Sequence, residues 1–284
     1  MGLNLSKKIF GLIGRYLNKE VSLEDNSYLC DFDRISHEVI PGDVLLVEGT
    51  TRISKIIKHI TLSHWTHSAL YIGRLHSIED HILRQLVRKY YHGSAGKQLI
   101  IESLVGQGTI IQEITKYKGH HVRICRPTGL SHSDAQKVIG AAIHHLGNKY
   151  NPRHFFDLGR FLLSGHLLPR RWKSSLFNQK PNQATHDICS SMIAAAFMSI
   201  DFPILPLVRE TDDKKLEVIH RNPKLFAPCD FDYSPYFAII KYPIFTLSGR
   251  GPYQQLPWHA GLLSDDEGIV EPRSRDDSKD PNKE

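Results

Sequence analysis

The 284-residue chain has no closely spaced cysteines: Cys30, Cys125, Cys189 and Cys229 lie far apart and form no CxxC pair. That argues against a zinc ribbon or a disulfide scaffold and suits a reducing compartment. No apolar run approaches the roughly 20 residues needed to span a bilayer. The N-terminus shows no signal-peptide pattern, because Lys7, Lys8 and Arg15 interrupt its apolar residues and no small-residue cleavage site follows. A cytoplasmic location is therefore expected, with peripheral membrane association as the alternative. The net charge of +6 invites a polyanionic partner. No helix-turn-helix, zinc-finger or RNA-binding signature accompanies it, so no nucleic-acid partner is expected.

What is present is ordinary globular composition, 40% hydrophobic and 23% charged, at a length that fits one large domain with appendages. The charge is uneven. From Ser264 to Glu284 there are 4 Lys/Arg against 8 Asp/Glu, a net −4 that leaves +10 on the rest. This stretch, "SDDEGIVEPRSRDDSKDPNKE", is too polar to bury itself, which predicts a disordered tail over 246–284. At the other end, "MGLNLSKKIFGLIGRYLNKE" places Leu5, Ile9, Leu12, Ile13, Tyr16 and Leu17 at helical spacing beside Lys8, Arg15 and Lys19. Residues 1–25 thus read as an amphipathic segment, which packs on the domain or meets an anionic membrane surface through residues 3–20. "MGLNLS" also satisfies the myristoylation pattern at Gly2.

The middle, 38–245, reads as the main folded domain. A Pro-Gly turn leads into the apolar strand Val44 to Val47, and "ISKIIKHITLSHW" follows as a short helix and loop. "THSALYIGRL" reads as a strand ending at Gly73, and "HSIEDHILRQLVRKYYHGSAGK" as a polar connection. "QLIIESLVGQGTIIQEI" predicts two strands around Gly106 and Gly108, with "HHVRICRP" as a further strand. "SHSDAQKVIGAAIHHLGNKYN" is a helix capped by Ser131 or Ser133, with Gly147 at its C-terminal end. A final strand is expected in "YFAIIKYP".

In "THDICSSMIAAAF", Thr185 and Asp187 are helix-capping types just before Cys189, which places the thiol in a first helical turn. The unpaired N–H groups and dipole there favour an anion and lower a thiol pKa. A cysteine on a helix is nonetheless most often core packing, so a base is needed. Of 17 histidines, His67 opens a strand that can aim an imidazole, and Glu102 interrupts another apolar strand. If those strands are neighbours, Glu102 accepts from one ring nitrogen and turns the other toward Cys189. His64, three residues earlier, is the rival base. "HWTH" lacks a third ligand of suitable spacing, so no metal and no other cofactor is expected.

The blocks "PGDVLLV", "THSALYIG", "IIESLVGQGTIIQEI", "GNKYN", "DICSSM" and "APCDFDYSPYFAIIKYP", in that order, resemble the permuted papain-like amidases of the YiiX/YebB type, within the NlpC-related superfamily. The resemblance covers roughly Pro41 to Pro243. It implies an α+β, circularly permuted papain-like fold, an antiparallel barrel-like sheet packed against the cysteine-bearing helix. It also implies Cys189 as nucleophile, His67 as general base and Glu102 as the group that orients it. Tyr150 would line the cleft, with His64 and Trp65 as further substrate-binding candidates. Departures fall at Ser68-Ala69, Asn151 and Ser191, where the branch carries other residue types. The expected activity is a cysteine hydrolase cleaving a peptide or N-acyl amide through an acyl-enzyme, on a small-molecule or peptide substrate. The alternatives are a lecithin–retinol acyltransferase-like enzyme acting on an acyl lipid, and an inactive binding module.

Overall fold

A computed structural model describes residues 29–148 except 105, 189–247 except 212, and the short stretches 251–258, 263–265 and 268–270. Gly2, the segment 3–20, Tyr150, Thr185 and Asp187 lie outside the described residues, so the readings placed on them are not addressed.

The centre is the strand β1 (Val44–Glu48), whose run VLLVE has no polar residue before its end. Both its faces are buried, as expected of a strand covered on two sides. It pairs antiparallel with β2 (His67–Gly73) on one side and β5 (His121–Pro127) on the other. β3 (Leu99–Leu104) joins β2, β4 (Gly108–Glu113) joins β3, and β8 (Phe237–Ile240) joins β5. The order β4-β3-β2-β1-β5-β8 is a mixed-connectivity, wholly antiparallel sheet of six strands. The described pairings run from β4 at one end to β8 at the other.

Alternation along the strands divides the core into two layers. Val44, Leu46, Leu70, Ile72, Leu99 and Ile101 face the first. There they meet α4 (His132–His144) and α5 (Cys189–Met198) through Val138, Ile139, Met192, Ile193 and Phe197. Leu45, Val47, Ala69, Tyr71, Ile100 and Ile124 face the second, under α1 (Phe32–Glu38) and the connection from β4 to β5. Each fully buried Leu, Ile or Phe contributes roughly 1.5–3 kcal/mol.

Ser131 caps α4 by accepting from the Asp134 N–H, as the sequence predicts. Two segments differ from the sequence reading. The supposed polar connection after β2 contains α3 (His81–Tyr90), capped by Asp80, with Val87 buried and Leu83 and Leu86 packed on the first layer. Three apolar residues at helical spacing suffice to dock a helix, and the charges between them masked the pattern. The segment read as disordered tail includes a small ribbon, β9 (Leu263–Asp265) with β10 (Gly268–Val270), where a short apolar pair flanks the acidic cluster. The helix α2 (Arg52–Thr61) follows β1, and a hairpin of β6 (Leu207–Glu210) and β7 (Leu216–Ile219) follows α5. A short α6 (Cys229–Tyr233) precedes β8. Among the described residues no helix is long and apolar enough to cross a membrane.

Candidate active site

His67 is the first residue of β2 and is held by pairing with Val47 of β1. β3 runs antiparallel beside it with Leu70 opposite Ile101. Glu102 follows Ile101 on β3, toward the end of β2 where His67 stands. His67 Nε2 lies 2.7 Å from Glu102 Oε2. The strands that the sequence could only suppose to be neighbours are therefore neighbours.

α5 packs across β2 and β3, with its first residue, Cys189, at the start of β2. Ser190 anchors that turn by donating its hydroxyl to the Phe226 carbonyl at 2.6 Å. The Cys189 thiol is hydrogen-bonded to the imidazole of His67 and also meets the backbone N–H of Ser68. Since Nε2 is occupied by Glu102, the nitrogen facing sulfur is Nδ1. Cys189 is 5% exposed and Glu102 0%.

The electrostatics follow from that chain. Burial alone would raise the Cys189 thiol, but the charge and hydrogen bond of His67 outweigh it and bring the thiol below its ordinary 9.0. Burial alone would likewise lower His67, yet the sulfur and then Glu102 raise it from 6.5 to about 10. Burial pushes Glu102 up, while His67 and Lys116 together hold it down at about 2. The three shifts run together toward a more acidic thiol, a more basic imidazole and an ionised carboxylate. A thiolate is the nucleophilic form of cysteine, and an imidazolium can hand a proton to a departing amine.

Two members were not read from the sequence. Lys116 places Nζ 2.5 Å from Glu102 Oε1, and the Tyr117 hydroxyl donates to Glu102 Oε2. Both lie in the connection from β4, at the sheet edge, to β5 on the far side of β1. That connection must cross the face of β3 and β2, so Ile114 and Tyr117 enter the second core layer and Lys116 comes over Glu102. In sequence they are a lysine and a tyrosine in a polar turn, with no local signal of where the turn lies.

Residues 38–157 match the family model described as permuted papain-like amidase enzyme, YaeF/YiiX, C92 family. The match spans less than half of the 284-residue chain. It includes His67 and Glu102 and ends before Cys189. No curated protein matches the chain.

Of the other candidates, His64 turns to Glu48 rather than to Cys189. Its side chain is 81% exposed and its Nδ1 lies 3.2 Å from Glu48 Oε1. It shares Glu48 with Lys58 at 2.5 Å and His121 at 3.1 Å. Trp65 is buried in the first core layer, beside His121 with ring centroids 5.1 Å apart and under the guanidinium of Arg123 at 4.6 Å. Among the described residues no group of three or more His, Cys, Asp or Glu could hold a metal ion.

Proposed function

We propose that the protein is a cysteine hydrolase of amide bonds, with Cys189 as nucleophile, His67 as proton carrier and Glu102 as the group that orients His67. The observation that carries this reading is the continuous hydrogen-bonded chain from the Cys189 thiol through both nitrogens of His67 to Glu102. The match of residues 38–157 to the permuted papain-like amidase model supports the same class of substrate.

The Cys189 thiolate attacks the amide carbonyl carbon and the π-electron pair moves to oxygen. First-turn N–H groups of α5, which have no intrahelical acceptor, face that developing charge. His67 gives its Nδ1 proton to the amide nitrogen, the C–N bond breaks and the amine leaves with a thioester on Cys189. His67, now neutral, takes a proton from water as the hydroxyl oxygen attacks the thioester. The C–S bond breaks, the acid product departs, and thiolate and imidazolium are restored. Glu102 keeps the ring in the tautomer and orientation that both steps require.

The test uses Cys189→Ala and His67→Ala in assays on peptide and N-acyl amide substrates. Both variants are expected to stay folded and lose nearly all turnover, and a hydroxylamine-labile acyl adduct is expected on Cys189 of the wild type. Full turnover in Cys189→Ala would overturn the reading.

A further inference from the structure

Cys189, His67 and Glu102 taken alone are one cation short of neutrality. In the reactive state Cys189 and Glu102 are both anions, and the single positive charge of His67 lies between them. Glu102 is fully buried, where an uncompensated carboxylate is strongly disfavoured. Among the described residues, the groups facing Glu102 are His67 from β2 and Lys116 and Tyr117 from the crossing connection, with Cys189 of α5 beyond the His67 ring. Tyr117 is neutral and donates its hydroxyl, so it satisfies a lone pair without supplying charge. Lys116 is the remaining cation. Its Nζ sits 2.5 Å from Oε1, the carboxylate oxygen that neither His67 nor Tyr117 uses, and 5.4 Å from the centre of the Tyr117 ring.

We propose that Lys116 is a positioning residue that supplies the second positive charge of the site, keeping Glu102 ionised against His67 while Cys189 stands as a thiolate. This inference rests on the Cys189–His67–Glu102 reading and extends it to a residue in a connection between strands. Lys116 brings the four-group cluster to neutrality. Without it, the Glu102 carboxylate is an unbalanced negative charge beside the His67–Cys189 pair, so a second anion at sulfur is disfavoured and thiolate formation moves to higher pH. With its side chain 35% exposed, Lys116 is also a member of the cluster that meets solvent, so the charge balance of a buried site is set from its surface.

The experiment follows iodoacetamide alkylation of Cys189, resolved by mass spectrometry, against pH in wild type, Lys116→Met and Lys116→Arg. Losing a nearby opposite charge raises an anion's pKa by about 1–3 units, and the partial exposure of Lys116, with the sulfur lying beyond His67, places the expected effect on the thiol at the low end. The acid limb of the alkylation profile is therefore expected to rise by roughly one pH unit in Lys116→Met. It should stay near wild type in Lys116→Arg. In a Glu102→Gln background the Lys116→Met change should no longer move the limb. Circular dichroism and Tm identify the folded variants, and Lys116→Gln replaces Lys116→Met if the latter misfolds. An unchanged limb in folded Lys116→Met overturns the role of Lys116 while leaving fast Cys189 alkylation, and thus the hydrolase reading, standing. An equal shift in the Glu102→Gln background also overturns it, because Lys116 would then act on the sulfur without Glu102. If wild-type Cys189 reacts only as an ordinary thiol, the hydrolase reading and this inference fail together.

Discussion

Cys189 differs from the other three cysteines in what surrounds its sulfur. Burial raises Cys30 and Cys125 above the usual thiol range, and burial together with Asp230 carries Cys229 up to about 11. All four sulfurs are buried or half-buried, so burial does not distinguish them. The imidazolium of His67 does, since only Cys189 among the four is brought below its ordinary value. At pH 6.5, alkylation followed peptide by peptide should label Cys189 at least about tenfold faster than the others, as expected of a thiolate against neutral thiols. His67→Ala should remove that advantage. Equal labelling of Cys189 and Cys229 would refute the ion pair.

At the scale of elements, the site exists because three of them end or cross at one place. β2 begins with His67, α5 begins with Cys189, and the β4–β5 connection crosses over Glu102. Their relative positions depend on packing beneath them. Phe197, on the last turns of α5, is fully buried against Phe202 and Phe237, with ring centroids 5.2 and 5.4 Å away. Phe197→Ala should cost about 3–5 kcal/mol in urea unfolding, the usual range for an aromatic deleted from a core. A loss under half of that would mean α5 is not held by this contact. At the other end of β2, Gly73 has φ +83°, and a Cβ there would stand 2.9 Å from Ser77 Cβ. Gly73→Ala should therefore cost about 2 kcal/mol, combining left-handed strain with that contact, as measured by the shift in Tm. No change would show that the turn relaxes freely.

For the whole molecule, the same charges predict a pH range of stability. Glu102 and Glu48 both lie near about 2 rather than 4.5, the latter through His121 first and Lys58 after burial is overcome. Groups lowered on folding stabilise above their unfolded pKa, so this contribution is present above pH 4.5 and is lost as pH falls toward about 2. His67 is raised from 6.5 to about 10, so its contribution is complete below 6.5 and lost as pH rises through about 10. Cys189, lowered from 9.0, supplies the opposite slope up to pH 9, so a net alkaline loss is expected only above that point. Urea midpoints measured from pH 2 to 10.5 should trace this plateau with two falling ends, and Glu102→Gln should flatten the acid one. An acid slope unchanged in Glu102→Gln would show that Glu102 is not ionised in the folded protein.

The sequence by itself determined the strands of the sheet, the capped helix α4 and the helix beginning at Cys189, and it singled out Cys189 and Glu102 as candidates. Those rest on local signals: runs of apolar residues, alternation, capping types and a carboxylate where an apolar residue would be expected. It did not determine which histidine meets the sulfur, because His64 and His67 are three residues apart and differ only in which one the β1–β2 pairing holds. Nor did it indicate α3, whose few apolar residues bury only because a layer already exists beneath them. Tertiary structure alone decided the place of Lys116 and Tyr117. The strand order sends their connection across the sheet, and a partner that arrives by crossing a face leaves no periodicity or spacing along the chain.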